Sequence, residues 1–188
     1  RNNVGTLNRL TRHITTHLRE YLLPHKYKYT NNPNLLQIKM KELEQNIVIL
    51  SSSGYQGSDL GSIINGSWEE GGNIYRVHWE YLDMLGKDDK EKETIKAKQK
   101  LSIVTPDPDL DIIGKLKIFG QQNYDTTLAF DLGFNFVSVY YQSMDEFITP
   151  YINKFMKNSI ILKPDYLHIP KGRVSSLTNN NNEEEEEE

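Results

Sequence analysis

Residues 73–83 read NIYRVHWEYLD. Successive side chains of an extended chain point to opposite faces, so Tyr75, Val77, Trp79 and Tyr81 share one side and Arg76, His78 and Glu80 the other. This alternation predicts a long strand with one covered face and one wet face. Downstream stretches repeat it. In TIKAKQKLSIV (94–104), Ile95, Ala97, Leu101 and Ile103 oppose Lys96, Lys98 and Lys100. In IIGKLKIF (112–119), Ile112, Leu116 and Ile118 oppose Lys115 and Lys117. TTLAFDLGFNF (126–136) sets Leu128, Phe130, Leu132, Phe134 and Phe136 together. From Phe136 to Tyr141 the phase slips to Val137, Val139 and Tyr141, as at a bulge near Phe136 or a bend between two strands.

Consecutive half-apolar strands predict an antiparallel meander. Shorter candidate strands lie upstream, in LLQIKM (35–40), NIVILSS (46–52) and SIINGSW (62–68). The sheet is therefore expected over about 35–141, curved and forming a meander or partial barrel. GKDDKEKE (86–93) reads as a charged connection and TPDPDLD (105–111) as a proline turn.

Two amphipathic helices are expected to flank this sheet. Over residues 4–23, Val4, Leu7, Leu10, Ile14, Leu18, Tyr21 and Leu22 recur at helical spacing until Pro24 stops them. Over residues 143–157, Met144, Phe147, Ile148, Tyr151, Ile152, Phe155 and Met156 do the same. Ser143 and Glu146 have capping-box spacing. Pro150 either kinks this helix or opens a shorter one capped by Thr149. The fold class read from the sequence is thus α+β, one domain over residues 1–170. SIILKPDYLHIPKG (159–172) reads as extended, with its apolar part at 159–169 suited to docking, and residues 171–188, rich in Asn and Glu, as a disordered tail.

The net charge of −4 is unevenly spread. Residues 1–41 hold eight basic groups against Glu20 alone, a net of +7, so the remaining chain carries −11, six of it from Glu183–Glu188. The chain has no cysteine, which removes disulfides, thiolate metal sites and cysteine nucleophiles and suits a reducing intracellular compartment, cytoplasmic or nuclear. No apolar run reaches the length that spans a bilayer. The chain opens on Arg1 rather than Met, which leaves room for an upstream segment. Asn65-Gly66-Ser67 matches a glycosylation acceptor and reads as an ordinary turn.

HITTH (13–17) places two imidazoles one helical turn apart, half of a zinc site. A zinc-peptidase helix needs a Glu after the first His, and Ile14 stands there. A third ligand would have to come from Glu20, His25, His78 or His168. No metal is expected. DPDLDIIG (107–114) opens like a calcium loop, but Ile112 takes the glycine position and Ile118 that of the bidentate Glu. Gly54, Gly57 and Gly61 in ILSSSGYQGSDLGS (49–62) lack the Gly-Lys-Ser/Thr ending of a phosphate loop and read as a flexible connection. No Gly-x-Ser-x-Gly elbow occurs. The paired acids Glu69–Glu70 and Asp88–Asp89 read as solvated turns. No enzyme and no cofactor are expected.

The leading expectation is a non-catalytic interaction or scaffold subunit of an intracellular assembly, bound to a protein partner. Arg76, Lys96, Lys98, Lys100, Lys115 and Lys117 would form a basic sheet face for an acidic or phosphorylated peptide. One alternative is a carrier or sensor of an apolar small molecule or lipid. Its pocket would lie between the sheet and the C-terminal helix, lined by Tyr75, Trp79, Phe130, Phe134, Phe147 and Phe155. Another is a nucleic-acid-binding subunit using the lysine face.

Overall fold

The computed structural model describes residues 3–106 and 123–168. Among them the helices are α1 (Val4–His17), α2 (Met40–Leu43), α3 (Trp79–Asp83), α4 (Lys87–Gln99), α5 (Thr127–Asp131) and α6 (Ile148–Phe155). The strands are β1 (Leu50–Ser51), β2 (Gly66–Ser67), β3 (Ile74–His78), β4 (Leu101–Thr105) and β5 (Phe136–Val137). Short 3-10 turns fill much of the remainder.

Among the described residues the architecture is α+β, and it overturns the expected antiparallel meander or partial barrel: both sheets there are small and parallel. One pairs β1 with β2, Leu50 opposite Gly66. The other has the order β3-β4-β5, and Ile103 and Val104 of β4 face Phe136 and Val137 of β5 in parallel register. The physical reason lies in the connections. Adjacent strands can run parallel only when a crossover lies between them. The charged stretch 86–93, expected as a loop, is the first half of α4. Trp79–Asp83, expected as strand, is α3, and Thr127–Asp131 is α5. The period-two pattern holds over Ile74–His78 and then passes into helix without a break in composition. LLQIKM likewise forms a 3-10 turn over Leu35–Gln37 and the start of α2. The stretch 112–119 lies outside the described residues, as does the tail.

Two compact units emerge, with boundaries inside β3, just before β4 and inside β4. Unit 1 comprises the described residues up to Arg76 with Lys100–Ser102; unit 2 comprises Val77–Gln99 and the described residues from Ile103 on.

In unit 1, Asn3 caps α1 by accepting the Thr6 N–H at 3.1 Å. The helix ends at His17, short of the Pro24 stop, and Arg19–Tyr21 tighten to a 3-10 turn. Leu7 and Ile14 pack on Tyr55, Leu60, Ile63 and Ile64. Leu10 and Leu18 from the same apolar stripe stay exposed. Thr11 is buried instead, its hydroxyl donating to the Leu7 carbonyl at 2.9 Å. The ladders are short, so buried Asn amides complete the backbone bonding. Asn65 accepts the Ile49 N–H at 2.9 Å and donates to the Tyr27 carbonyl at 2.9 Å. Asn73 accepts the Ser67 N–H at 3.0 Å and donates to the carbonyls of Pro33 and Asn65. At Gly72 a Cβ would lie 2.2 Å from the Ser67 oxygen, so only glycine fits.

In unit 2, Asp88 and Asp89 open α4 and Lys96 and Lys98 close it, each sign at the helix end that favours it. Only Glu93 and Ala97 of α4 are buried. Ile103 and Val104 of β4 are adjacent and both buried, as in parallel sheets covered on two faces. Tyr151 of α6 donates to the Val137 carbonyl of β5 at 3.0 Å, and Ile148 is fully buried.

Candidate functional site

The C-terminal helix is shorter than its apolar pattern. Asp145, not Ser143, supplies the cap: its Oδ1 accepts the N–H groups of Phe147 and Ile148, both at 3.1 Å. Its Oδ2 accepts the Asn123 N–H at 2.7 Å. Burial pushes this carboxyl up, but the amide donors of Asn123, Ile148 and Phe147 outweigh it and hold its pKa below the usual range. Pro150 sits in the first turn of α6, where its missing N–H has no helical acceptor to lose.

After α6 the chain crosses residues 157–164 without regular structure, then makes a 3-10 turn over Asp165–Leu167. Leu162 is 89% exposed, Met156 69% and Ile160 61%, with Ile161 and Tyr166 also in solvent. Between Glu146 and Asp165 the sequence has no acid, while Lys154, Lys157 and Lys163 punctuate it. The Lys154 ammonium lies 4.5 Å from the Phe130 ring centroid. Three contacts hold the far end of the segment. The Lys163 amine donates to the Gly133 carbonyl at 2.5 Å. Lys98 donates to the Tyr166 carbonyl at 2.9 Å. Leu167 is 3% exposed and lies where a side chain on Gly133 would go: a Cβ there would meet its Cδ2 at 3.1 Å. Gly133 has φ +85°, a left-handed conformation that glycine adopts without strain.

The structure brings together only part of what the sequence groups. The basic residues fall in different elements. Arg76, on β3, places its guanidinium 5.6 Å from the Trp68 ring centroid, and Lys100 donates to the Gly72 carbonyl at 2.8 Å; both belong to unit 1. Lys96 and Lys98 belong to α4 in unit 2, with Lys96 paired to Glu93 at 2.8 Å. Lys115 and Lys117 lie outside the described residues, as does the stretch 107–114.

Of the aromatic set, Tyr75 belongs to unit 1 and the others to unit 2. Trp79 stacks on Tyr124 with centroids 5.1 Å apart and planes 5° from parallel. Phe130 packs against Phe155 at 6.0 Å, and Phe155 against Tyr151 at 5.1 Å. Phe134 is buried and Phe147 half-buried. His13 and His17 are exposed, their rings stacked 6.2 Å apart. Among the described residues no three His, Cys, Asp or Glu side chains are placed to hold a metal ion, and no helix is long and apolar enough to cross a membrane.

Two carboxylate centres escaped the sequence reading. Glu69, taken for a solvated turn residue, accepts the phenols of Tyr29 at 3.0 Å and Tyr55 at 2.5 Å on one oxygen, and the Gln56 amide on the other. Burial, then the Glu69 contact, raises the Tyr55 phenol well above its ordinary pKa. Glu93, in the supposed charged loop, is 1% exposed and receives Lys96 at 2.8 Å and the Tyr81 phenol at 3.1 Å. Its one legible signal is the spacing to Lys96 and Ala97, which puts all three on adjoining positions of a helix. The partners of Glu69 lie up to 40 residues away in the chain, so no local pattern announces it.

No family model, curated protein or solved structure matches the chain.

Proposed function

We propose that this chain is a non-catalytic interaction subunit and that residues 156–162 are its docking element. The observation that carries this reading is the exposure of Met156, Ile160, Ile161 and Leu162 in one short segment. Such exposure costs free energy in water, and contiguous exposed aliphatic groups mark interaction sites. The stretch from Phe147 to Pro164 carries three lysines and no acid. Its partner is therefore a protein surface with an apolar groove rimmed by carboxylates, which matches both the aliphatic contacts and the sign of the charge. An intracellular setting suits a chain with no cysteine.

The lysines assigned to a basic sheet face supply less support, because Lys96, Lys98 and Lys100 already donate to groups within the protein. The aromatic side chains around α6 pack ring against ring, which favours a filled core over an apolar-ligand cavity.

The test is a photoreactive amino acid placed at Leu162 and, as a control, at Asp88, in cells that express the protein. A discrete heterologous adduct at 162 alone is expected. The captured protein, purified, then binds the wild-type chain, and Leu162→Lys weakens that binding at least tenfold, consistent with burial of one leucine worth roughly 1.5–3 kcal/mol. Equal labelling at both positions, a self-adduct alone, or binding indifferent to Leu162→Lys would overturn the reading.

A further inference from the structure

Residues 157–168 leave α6, run without a ladder, and return to the body of unit 2 only at their C-terminal end. The near half, around Ile160–Leu162, is in solvent; the far half is held by Lys163 on Gly133, by Lys98 on the Tyr166 carbonyl, and by Leu167 over Gly133. Two of these attachments are single lysine-to-carbonyl hydrogen bonds. Gly133 is the common anchor: its oxygen takes Lys163 and its missing side chain makes room for Leu167. Losing the first contact therefore loosens the second.

We infer that residues 157–168 form a strap, that Lys163 is its latch, and that acylation of the Lys163 amine releases it. A charged amine is a strong donor to a carbonyl. An acylated nitrogen is neutral, keeps one hydrogen, and carries a carbonyl group where 2.5 Å separates nitrogen from the Gly133 oxygen. With a thioester as acyl donor, the neutral amine attacks the thioester carbonyl. A C–N bond forms, the C–S bond breaks, the thiol leaves, and the nitrogen loses its proton. Burial, with the Lys98 ammonium nearby, holds the Lys163 pKa below the usual lysine range, so more of the neutral amine is present at a given pH. The consequence rests on the docking reading above: releasing the strap changes how Ile160–Leu162 are presented to the partner.

The latch itself is tested with no partner present, so its failure and the failure of the docking reading are distinguishable. Hydrogen exchange is followed by mass spectrometry on the full chain as wild type, with acetyllysine installed at 163, and as Lys163→Gln and Lys163→Arg. The reporters are the Leu167 and His168 amides, which donate to the Pro164 and Asp165 carbonyls at 2.9 and 3.0 Å. Amides of α4 serve as the internal reference for the fold. Acetyllysine and Gln are expected to speed strap exchange at least tenfold with α4 unchanged, and Arg to stay within about threefold of wild type. Gly133→Ala, which displaces Leu167 by another route, is expected to speed the same amides. Strap exchange within twofold of wild type in the acetyllysine and Gln chains would overturn the latch. So would acceleration shared equally by α4, because the modification would then act on the whole unit.

Discussion

The stretch 51–62 is rich in serine and glycine, yet it buries Tyr55 and Leu60; the stretch 159–162 carries three consecutive aliphatic residues, yet it lies in solvent. Composition alone would rank them the other way. Anchors explain the difference. In the first stretch the Ser58 and Ser62 hydroxyls donate to the Tyr55 and Asp59 carbonyls, Asn8 accepts the Asp59 N–H, and the Tyr55 phenol reaches Glu69. These bonds fix two successive 3-10 turns, which supply partners for polar groups of the loop as its apolar side chains enter the core. In the second stretch the hydrogen bonds begin at Lys163, beyond the aliphatic residues. Apolar character supplies the driving force for burial, but local polar geometry decides whether a loop can be buried.

The sharpest way to break this comparison is to truncate buried residues in both regions. Leu60 is buried beside Tyr55 and Ile64, and Leu167 is the one strongly buried side chain of the strap. Leu60→Ala and Leu167→Ala are each expected to cost about 2–5 kcal/mol in urea unfolding, the range for a buried aliphatic truncation. A loss under about 1 kcal/mol at Leu60 would show that the glycine-rich stretch is not core.

A smaller effect separates polar anchoring from apolar packing. Glu69→Gln keeps the size of the side chain but removes the charge that receives Tyr29, Tyr55 and Gln56. Charge-assisted hydrogen bonds contribute roughly 1.5–3 kcal/mol, so a stability loss in that range is expected. Tyr55→Phe combined with Glu69→Gln should cost clearly less than the sum of the two single changes, because they share one contact. Strict additivity would mean that Glu69 holds this loop by some other route.

What the sequence disclosed follows the same division. The first helix and the apolar face of the last were legible because 3.6-residue spacing is a local signal. Ile74–His78 was legible as a strand for the same reason. The parallel topology was not. It depends on helices α3, α4 and α5, and two of them hide in alternating patterns while α4 is charged nearly all round. Ile95, Ala97 and Leu101 alternate with lysines as a strand would, and Ala97 also stands one helical turn after Glu93, which is buried. Binary patterning treats a buried Glu as surface, so that helical face was invisible. Asn65 gave a matching difficulty. It is 2% exposed and its amide is spent on Ile49 and Tyr27, which makes it an internal bridge rather than an ordinary turn residue. As for residues 159–162, their apolar character was readable, but the contact that follows them was not: Lys163 and Gly133 are 30 residues apart.

A pH titration sharpens the view of what holds the start of α6. The Asp145 carboxylate accepts its amide donors more strongly when ionised, and its folded pKa lies below the unfolded value. Its contribution is therefore present above the unfolded pKa, about 3.9, and is lost as pH falls through the folded value. Asp145→Ala is expected to lower stability by about 1 kcal/mol at neutral pH, the usual worth of a helix cap. The loss relative to wild type should shrink as pH falls below about 4. A difference that stays constant across the acid limb would assign the effect to packing instead.

The smallest expected effect on stability is at Leu162, and it bears directly on the proposed function. The side chain is 89% exposed, so Leu162→Ala removes little buried area on folding and should change stability by less than about 0.5 kcal/mol. Leu167, five positions along the same strap, is held to the larger figure above. The pair is an internal control, because both changes delete the same atoms from the same segment. If Leu162→Ala also costs 2 kcal/mol or more, the aliphatic run is packed in solution and is not available to dock. If the two differ as expected, the free energy that Leu162 fails to contribute to folding remains to be gained on binding. The same substitution should then weaken the captured partner several-fold while leaving the unfolding curve in place.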